Sequence, residues 1–248
     1  MIGYYISFGL ISGAIYAVGA IGLSLLLRTT GYRFLAFGDV MAAGAFLTYV
    51  FNSRGINVWL SMLLGVVGTG ILGMAFYWLI FRAFKGAEMA TMLILTIGVA
   101  FLLRNFLLLI WGPEPVSLDY VVSTSFKIAG FLHLNPSQIV IILSSLGIMI
   151  LFYIVMNFTR VGKGIRAIGD DANLAEVRGV NQDKVFSWAW FFCIGLGGFA
   201  GASLALTGSV NPTMGFQILL LPFAGMIIGG IGNPYGAAVG GYIVGIVS

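Results

Sequence analysis

Eight apolar runs of roughly bilayer length dominate this sequence and constrain its fold more than any other feature. At about 20 apolar residues per crossing, they cover roughly 3–27, 34–51, 57–81, 89–111, 139–158, 185–207, 217–232 and 235–248. Hydrocarbon offers backbone amides no partner, so such runs must satisfy their N–H and C=O groups internally, as helices. Composition agrees: 60% of residues are hydrophobic and 8% are charged, where soluble domains carry about a quarter. The expected fold class is an all-α polytopic membrane protein with about eight transmembrane or half-membrane helices, one domain over 1–248. The 36 glycines suit membrane helices whose backbones approach closely. The second run and the last two are short or glycine-interrupted and read as half-helices or re-entrant segments. The final run holds about 14 residues and reaches only ~21 Å at helical rise, short of a ~30 Å core. It reads as a half-helix, or as a chain that continues past Ser248.

Between the fifth and sixth runs lies 159–184, TRVGKGIRAIGDDANLAEVRGVNQDK, which holds nine of the 20 charged residues. Five are basic (Arg160, Lys163, Arg166, Arg178, Lys184) and four are acidic (Asp170, Asp171, Glu176, Asp183). This segment cannot lie in hydrocarbon. Asp171 suits a helix N-cap, ANLAEVR favours helix, and Gly179 stands where a left-handed glycine ends one. About two turns are therefore expected over Asp171, Ala172, Asn173, Leu174, Ala175, Glu176, Val177, Arg178 and Gly179. A short capped helix on a basic loop is a docking element. The positive-inside rule orients the chain. With 159–184 in the cytosol, Arg28, Arg33, Arg82 and Lys85 also fall inside, giving nine basic residues against Arg54 and Lys127 outside. The N-terminus is then external, and 112–138 is the long external loop.

Several chemistries find no support. Gly162-Lys163-Gly164 lacks both the upstream glycine and the following hydroxyl of a phosphate loop. His133 is the only histidine and falls in the external loop, so neither a histidine metal site nor a triad is expected. Cys193 is the only cysteine, which excludes a disulfide within the chain. The net charge of +4 arises from loop lysines and arginines and gives no reason to expect nucleic acid. An enzyme is not expected.

Two charges fall inside apolar runs, where they are costly and point to function. Asp39 sits in AFGDVMAAGA among small neighbours, and Arg104 in LTIGVAFLLRNF. Thr96, Ala100 and Arg104 are four apart and share a helix face. Asp39, Thr96 and Arg104 are the candidates for a translocation path. The plainer expectations are a cap or an Arg33 ion pair for Asp39, and snorkelling to the external interface for Arg104.

The chain resembles the permeases of bacterial high-affinity branched-chain amino-acid ABC importers. The likeness rests on GLISGAIYAVGAIGLSLLLRTTG near the start, LAFGDVMAAGAF at 35–46 and LTIGVAFLLRNFLLLIWGPEP at 95–115. It rests most specifically on TRVGKGIRAIGDDANLAEVRGV at 159–180, together with GMIIGGIGNPYGAAVGGYIVG at 225–245. Phe34-Leu35 stands where the family usually has Asn-Phe, and Arg104 where Gln is common. The resemblance implies a multi-pass protein of the bacterial inner membrane that moves branched-chain or other small amino acids, urea or amides inward by alternating access. It implies that 171–179 is the coupling helix on the ATPase. It also implies a second related permease, identical or not, two cytosolic ATPase chains, and a periplasmic or lipid-anchored solute-binding protein. This chain would hold no cofactor of its own, ATP and Mg being bound by the ATPase, and membrane lipid would surround it. An ABC sugar permease of the related branch is the alternative, and a secondary transporter the more remote one.

Overall fold

The computed structural model describes residues 2–118, 126–128 and 132–248. The chain runs α1 (Ile2–Thr30), α2 (Phe37–Ser53), α3 (Val58–Leu79), a 3-10 turn (Phe81–Phe84) and α4 (Met89–Trp111). A small antiparallel hairpin follows, β1 (Phe126–Ile128) and β2 (Leu132–Leu134), with Lys127 opposite His133. Then come α5 (Pro136–Phe158), α6 (Arg160–Asp170), α7 (Ala172–Val177) and α8 (Gln182–Thr207). The last elements are α9 (Met214–Ile218), α10 (Leu220–Ile228) and α11 (Pro234–Val247). The rest of the expected external loop, 119–125 and 129–131, and the side chain of His133 lie outside the described residues.

Among the described residues, α1, α3, α4, α5 and α8 have the length and apolarity to cross a membrane. Each of the eight apolar runs is helical, with two differences from expectation. The second run starts late, at Phe37, because Gly31 turns the chain at φ 78° and 31–36 is not helical. The seventh is divided at Leu219 into α9 and α10. A third difference lies in 159–184. Two helices form there where one was expected, because Thr159 caps α6 by accepting from the Gly162 amide at 3.1 Å.

Packing follows the small residues. α1 packs on α11, α8 and α10, while α8 packs also on α3 and α2. A Cβ on Gly245 would meet the Gly13 backbone, and one on Gly201 would meet the Met41 carbonyl. Only glycine allows these approaches. Where lipid is as apolar as leucine, close contact of this kind is what holds helices together. One end of the bundle gathers the basic loops. Arg28 pairs with Asp170 at 2.8 Å, and Arg82 and Lys85 pair with Asp183 at 3.1 and 3.3 Å. At the other end an isolated bridge joins Val116 to Val210.

Candidate functional site

Two sites stand out, one at the basic end of the bundle and one within it. The first is built on α7. Its N-terminus is closed by Asp171, whose Oδ1 accepts from the Leu174 amide at 3.0 Å. At the C-terminus Gly179 takes φ 82° and donates to the Glu176 carbonyl at 2.9 Å, while Val180 donates to Ala175 at 3.0 Å. These are the two bonds of a Schellman motif. The expected two-turn helix over 171–179 is therefore present with both caps in place.

Neighbouring elements clamp it. Gln182 Nε2 donates to the Ala172 carbonyl at 3.0 Å and to Glu176 Oε2 at 2.9 Å, tying α7 to the first turn of α8. On the upstream side α6 buries Gly162, Gly164, Ile165 and Ile168 and leaves Arg160 and Lys163 exposed. Gly162 lies against the backbone of Val155 and Met156, so α6 is pressed onto the end of α5. Arg166 reaches Asn157 at 3.2 Å. Ala175 is buried beneath α7, whereas Leu174 and Val177, three apart and so on one face, are 49% and 86% exposed. A rigid two-turn helix thus carries an apolar face that no described residue of this chain covers. Gln182 gave no sign in the sequence, since its role depends on a helix junction rather than on spacing.

The second site lies inside the bundle. Asp39 stands in the first turn of α2 and is 1% exposed. Arg104 grips it with both arms: Nε donates to Oδ1 at 2.8 Å and Nη2 to Oδ2 at 3.1 Å. The carboxylate also faces the partial positive charge of a helix N-terminus. Phe216 of α9 stacks on the guanidinium, its ring centroid 4.4 Å from the central carbon. α9 can come this near because Gly38 and Gly215 touch backbone to backbone. The non-helical lead into α2 and the break between α9 and α10 therefore belong to elements that meet beside one ion pair. Discontinuous helices of this kind bring polar backbone to membrane depth only where protein covers it.

Asp39 pairs with Arg104 and not with Arg33, which is exposed. Arg104 does not snorkel outward, because a buried carboxylate lies within reach and its side chain is only 17% exposed. Thr96 does share the inward face of α4 and is fully buried, but its hydroxyl donates to the Leu93 carbonyl of its own helix at 2.8 Å. Eight residues away along the helix, or ~12 Å, it is not part of the Asp39–Arg104 cluster. Phe216 escaped the sequence reading, as stacking across two distant helices leaves no local pattern.

Residues 5–248 match the family described as branched-chain amino acid transport system / permease component. Among curated proteins, the chain is 27% identical over 252 residues to the Escherichia coli high-affinity branched-chain amino acid transport system permease protein LivH. That alignment covers 96% of this chain and 82% of LivH. It is 22% identical to BraD of Pseudomonas aeruginosa, over the same shares of each chain. It is 29% identical to a probable branched-chain amino acid transport permease protein of Methanocaldococcus jannaschii, over 92% of this chain and 74% of that one. No solved structure matches.

Proposed function

We propose, from the premise that this chain belongs to the branched-chain amino acid transport permease family, that it carries branched-chain or other small amino acids inward by alternating access. It is a permease subunit of an ABC importer, a multi-pass inner-membrane protein and not an enzyme. The family works with a separate ATPase and further permease subunits. The finer composition is our reading: two ATPase chains, which bind the ATP and Mg, a second permease related to this one, and an external solute-binding protein. The permease domain occupies 1–248, with its basic end and 159–184 in the cytosol and 112–138 outside.

The observation that carries this reading is α7. Its exposed Leu174 and Val177 form an apolar knob for the groove of the ATPase. Its caps keep it stiff, each worth about 1 kcal/mol, because a frayed helix would absorb the push. Gln182 passes movement of α7 to α8, and α8 packs on α2, which carries Asp39 at its start. Asp39 and Arg104 form the charged station of the path, with Thr96 lining α4 farther along. The family's alternative cargoes, urea and small amides, would meet the same pair. The test is Val177→Asp in the transporter reconstituted with its ATPase and binding protein. ATP-driven uptake of leucine and cargo-stimulated ATP turnover should both fall at least ~10-fold, the cost of losing about 1.4 kcal/mol of coupling contact. Normal uptake in that variant would contradict the docking role.

A further inference from the structure

One cluster at the basic end is absorbed by neither site. A cavity of about 230 Å³ opens there between the ends of α1, α3, α4 and α8. Its walls are Tyr32, Tyr77, Phe81, Met92, Phe186 and Trp190, with Lys85–Ala87 at the rim. The aromatic rings brace each other: Phe81 lies 4.5 Å from Trp190 and 5.8 Å from Tyr32, and Tyr77 lies 5.9 Å from Phe186. Drug-sized ligand pockets run to about 300–1,000 Å³, so this volume suits one small solute and not a nucleotide or peptide.

Charge just behind the lining narrows the solute further: Asp183 lies outside the cavity walls and is joined to them through Tyr77 and Lys85, which line it. Asp183 Oδ1 accepts from the Tyr77 hydroxyl at 2.8 Å and from Lys85 Nζ at 3.3 Å, and Arg82 reaches Oδ2 at 3.1 Å. Lys85 Nζ also stands 5.3 Å above the Phe186 ring. An alkylammonium is thus already held between a carboxylate and an aromatic face, an arrangement that selects cations. That ammonium is a tethered and exchangeable occupant, since Lys85 is 43% exposed on a loop and Gly86 follows at φ 86°. Two cations share one carboxylate, Lys85 at Oδ1 and Arg82 at Oδ2, so a solute that replaced Lys85 would leave Asp183 still paired with Arg82 and free Lys85, at the cavity, to meet an anionic group. Trp190, fully buried in the wall, has an indole N–H with no hydrogen-bond partner, a donor that is costly to leave unmet. Burial, and then the neighbouring Tyr77, push the Tyr32 phenol well above its ordinary range, so it stays a neutral donor.

We propose that this chamber is a binding site for one free aliphatic α-amino acid, held by its ammonium at Phe186 and at the Asp183 oxygen that Lys85 vacates, and by its carboxylate at the displaced Lys85. Its side chain packs against Phe81 and Met92. The proposal deepens the importer reading and rests on it for the cytosolic orientation of the chamber, where released cargo would pause.

The probe is L-leucine added to the assembled transporter in nanodiscs, with Ala87→Cys at the rim as reporter. The natural Cys193 is fully buried. Leucine in the millimolar range should slow maleimide labelling of position 87 about threefold or more, since protection scales as 1 + [L]/Kd. Propylamine should protect weakly and glucose not at all. Phe186→Ala and Asp183→Asn should each abolish protection, and Phe186→Tyr should keep it. Unchanged labelling with leucine, or protection that survives both Phe186→Ala and Asp183→Asn, would overturn the site. Met89→Cys serves as reporter should Ala87→Cys disturb the loop. ATP-driven leucine uptake by the wild type is measured beside it. Uptake without protection removes the chamber alone, and protection without uptake removes the importer reading and leaves the chamber standing.

Discussion

The inner spans α1 and α8 and the outer spans α4 and α5 are all apolar enough to cross a bilayer, yet they live in different surroundings. In α1 and α8 the most apolar windows are 89% and 78% buried within the protein, and in α4 and α5 only 28% and 22%. The outer pair is nevertheless the more hydropathic. Apolarity therefore decides which segments enter the membrane, and it does not decide which of them lie at the centre. Position inside the bundle follows small residues. α8 places Gly195, Gly197, Gly198 and Gly201 among its buried residues, while Leu109 of α4 and Ile150 of α5 are exposed on the outside of this chain.

The sharpest way to break this contrast is Gly201→Leu. A side chain there meets the Met41 carbonyl, and overpacking of a closed helix seam should cost about 3 kcal/mol or more. Accumulation in membranes and monodispersity in detergent should both collapse. Arg104→Ala comes next, because it leaves Asp39 buried without its partner. Breaking a buried pair costs about 3–5 kcal/mol, so the variant should accumulate poorly and fail to take up leucine. The neutral double variant Asp39→Asn/Arg104→Gln should recover accumulation. Recovery of uptake as well would mean that the charges hold the helices without serving the path.

Smaller effects are expected at the basic end and on the outer face. Gly179→Val forces a β-branched residue into the left-handed region, at about 1–2 kcal/mol. Nothing crowds the position, so membrane accumulation should match the wild type while uptake and cargo-stimulated ATP turnover fall together. Leu109→Ala removes a side chain that is 83% exposed. Its effect on the melting temperature of the purified chain should stay within ~0.5 kcal/mol equivalent. A large loss there would mean that α4 is covered more tightly than the single chain reveals.

Much of this was legible in the sequence. Long apolar runs must be helices in lipid, so all eight were visible, and Asp171 and Gly179 framed α7 through local cap chemistry. What stayed hidden depends on distant partners. Asp39 and Arg104 are 65 residues apart, and each could be read separately as costly without showing that they pair. α6 was missed for a different reason. Glycines at 162, 164 and 169 lower helix propensity, and the helix forms because its apolar stripe packs on α5 and α8. The break at Leu219 has a local cause that the sequence reading passed over: Pro222 has no N–H to donate to the Ile218 carbonyl, and its ring crowds that carbonyl, so the helix is interrupted between Ile218 and Leu220.

If α7 is the surface on which the ATPase pushes, Val177→Cys on its exposed face should report the contact. Val177 is 86% exposed, and Cys193 gives no background because it is buried. Maleimide labelling of position 177 would be timed on the permease alone and after assembly with the ATPase. Labelling should be rapid in the isolated chain and strongly slowed in the complex, while Arg54→Cys, at an exposed position in the loop between α2 and α3, should label equally in both. Equal labelling of position 177 with and without the ATPase would contradict that contact.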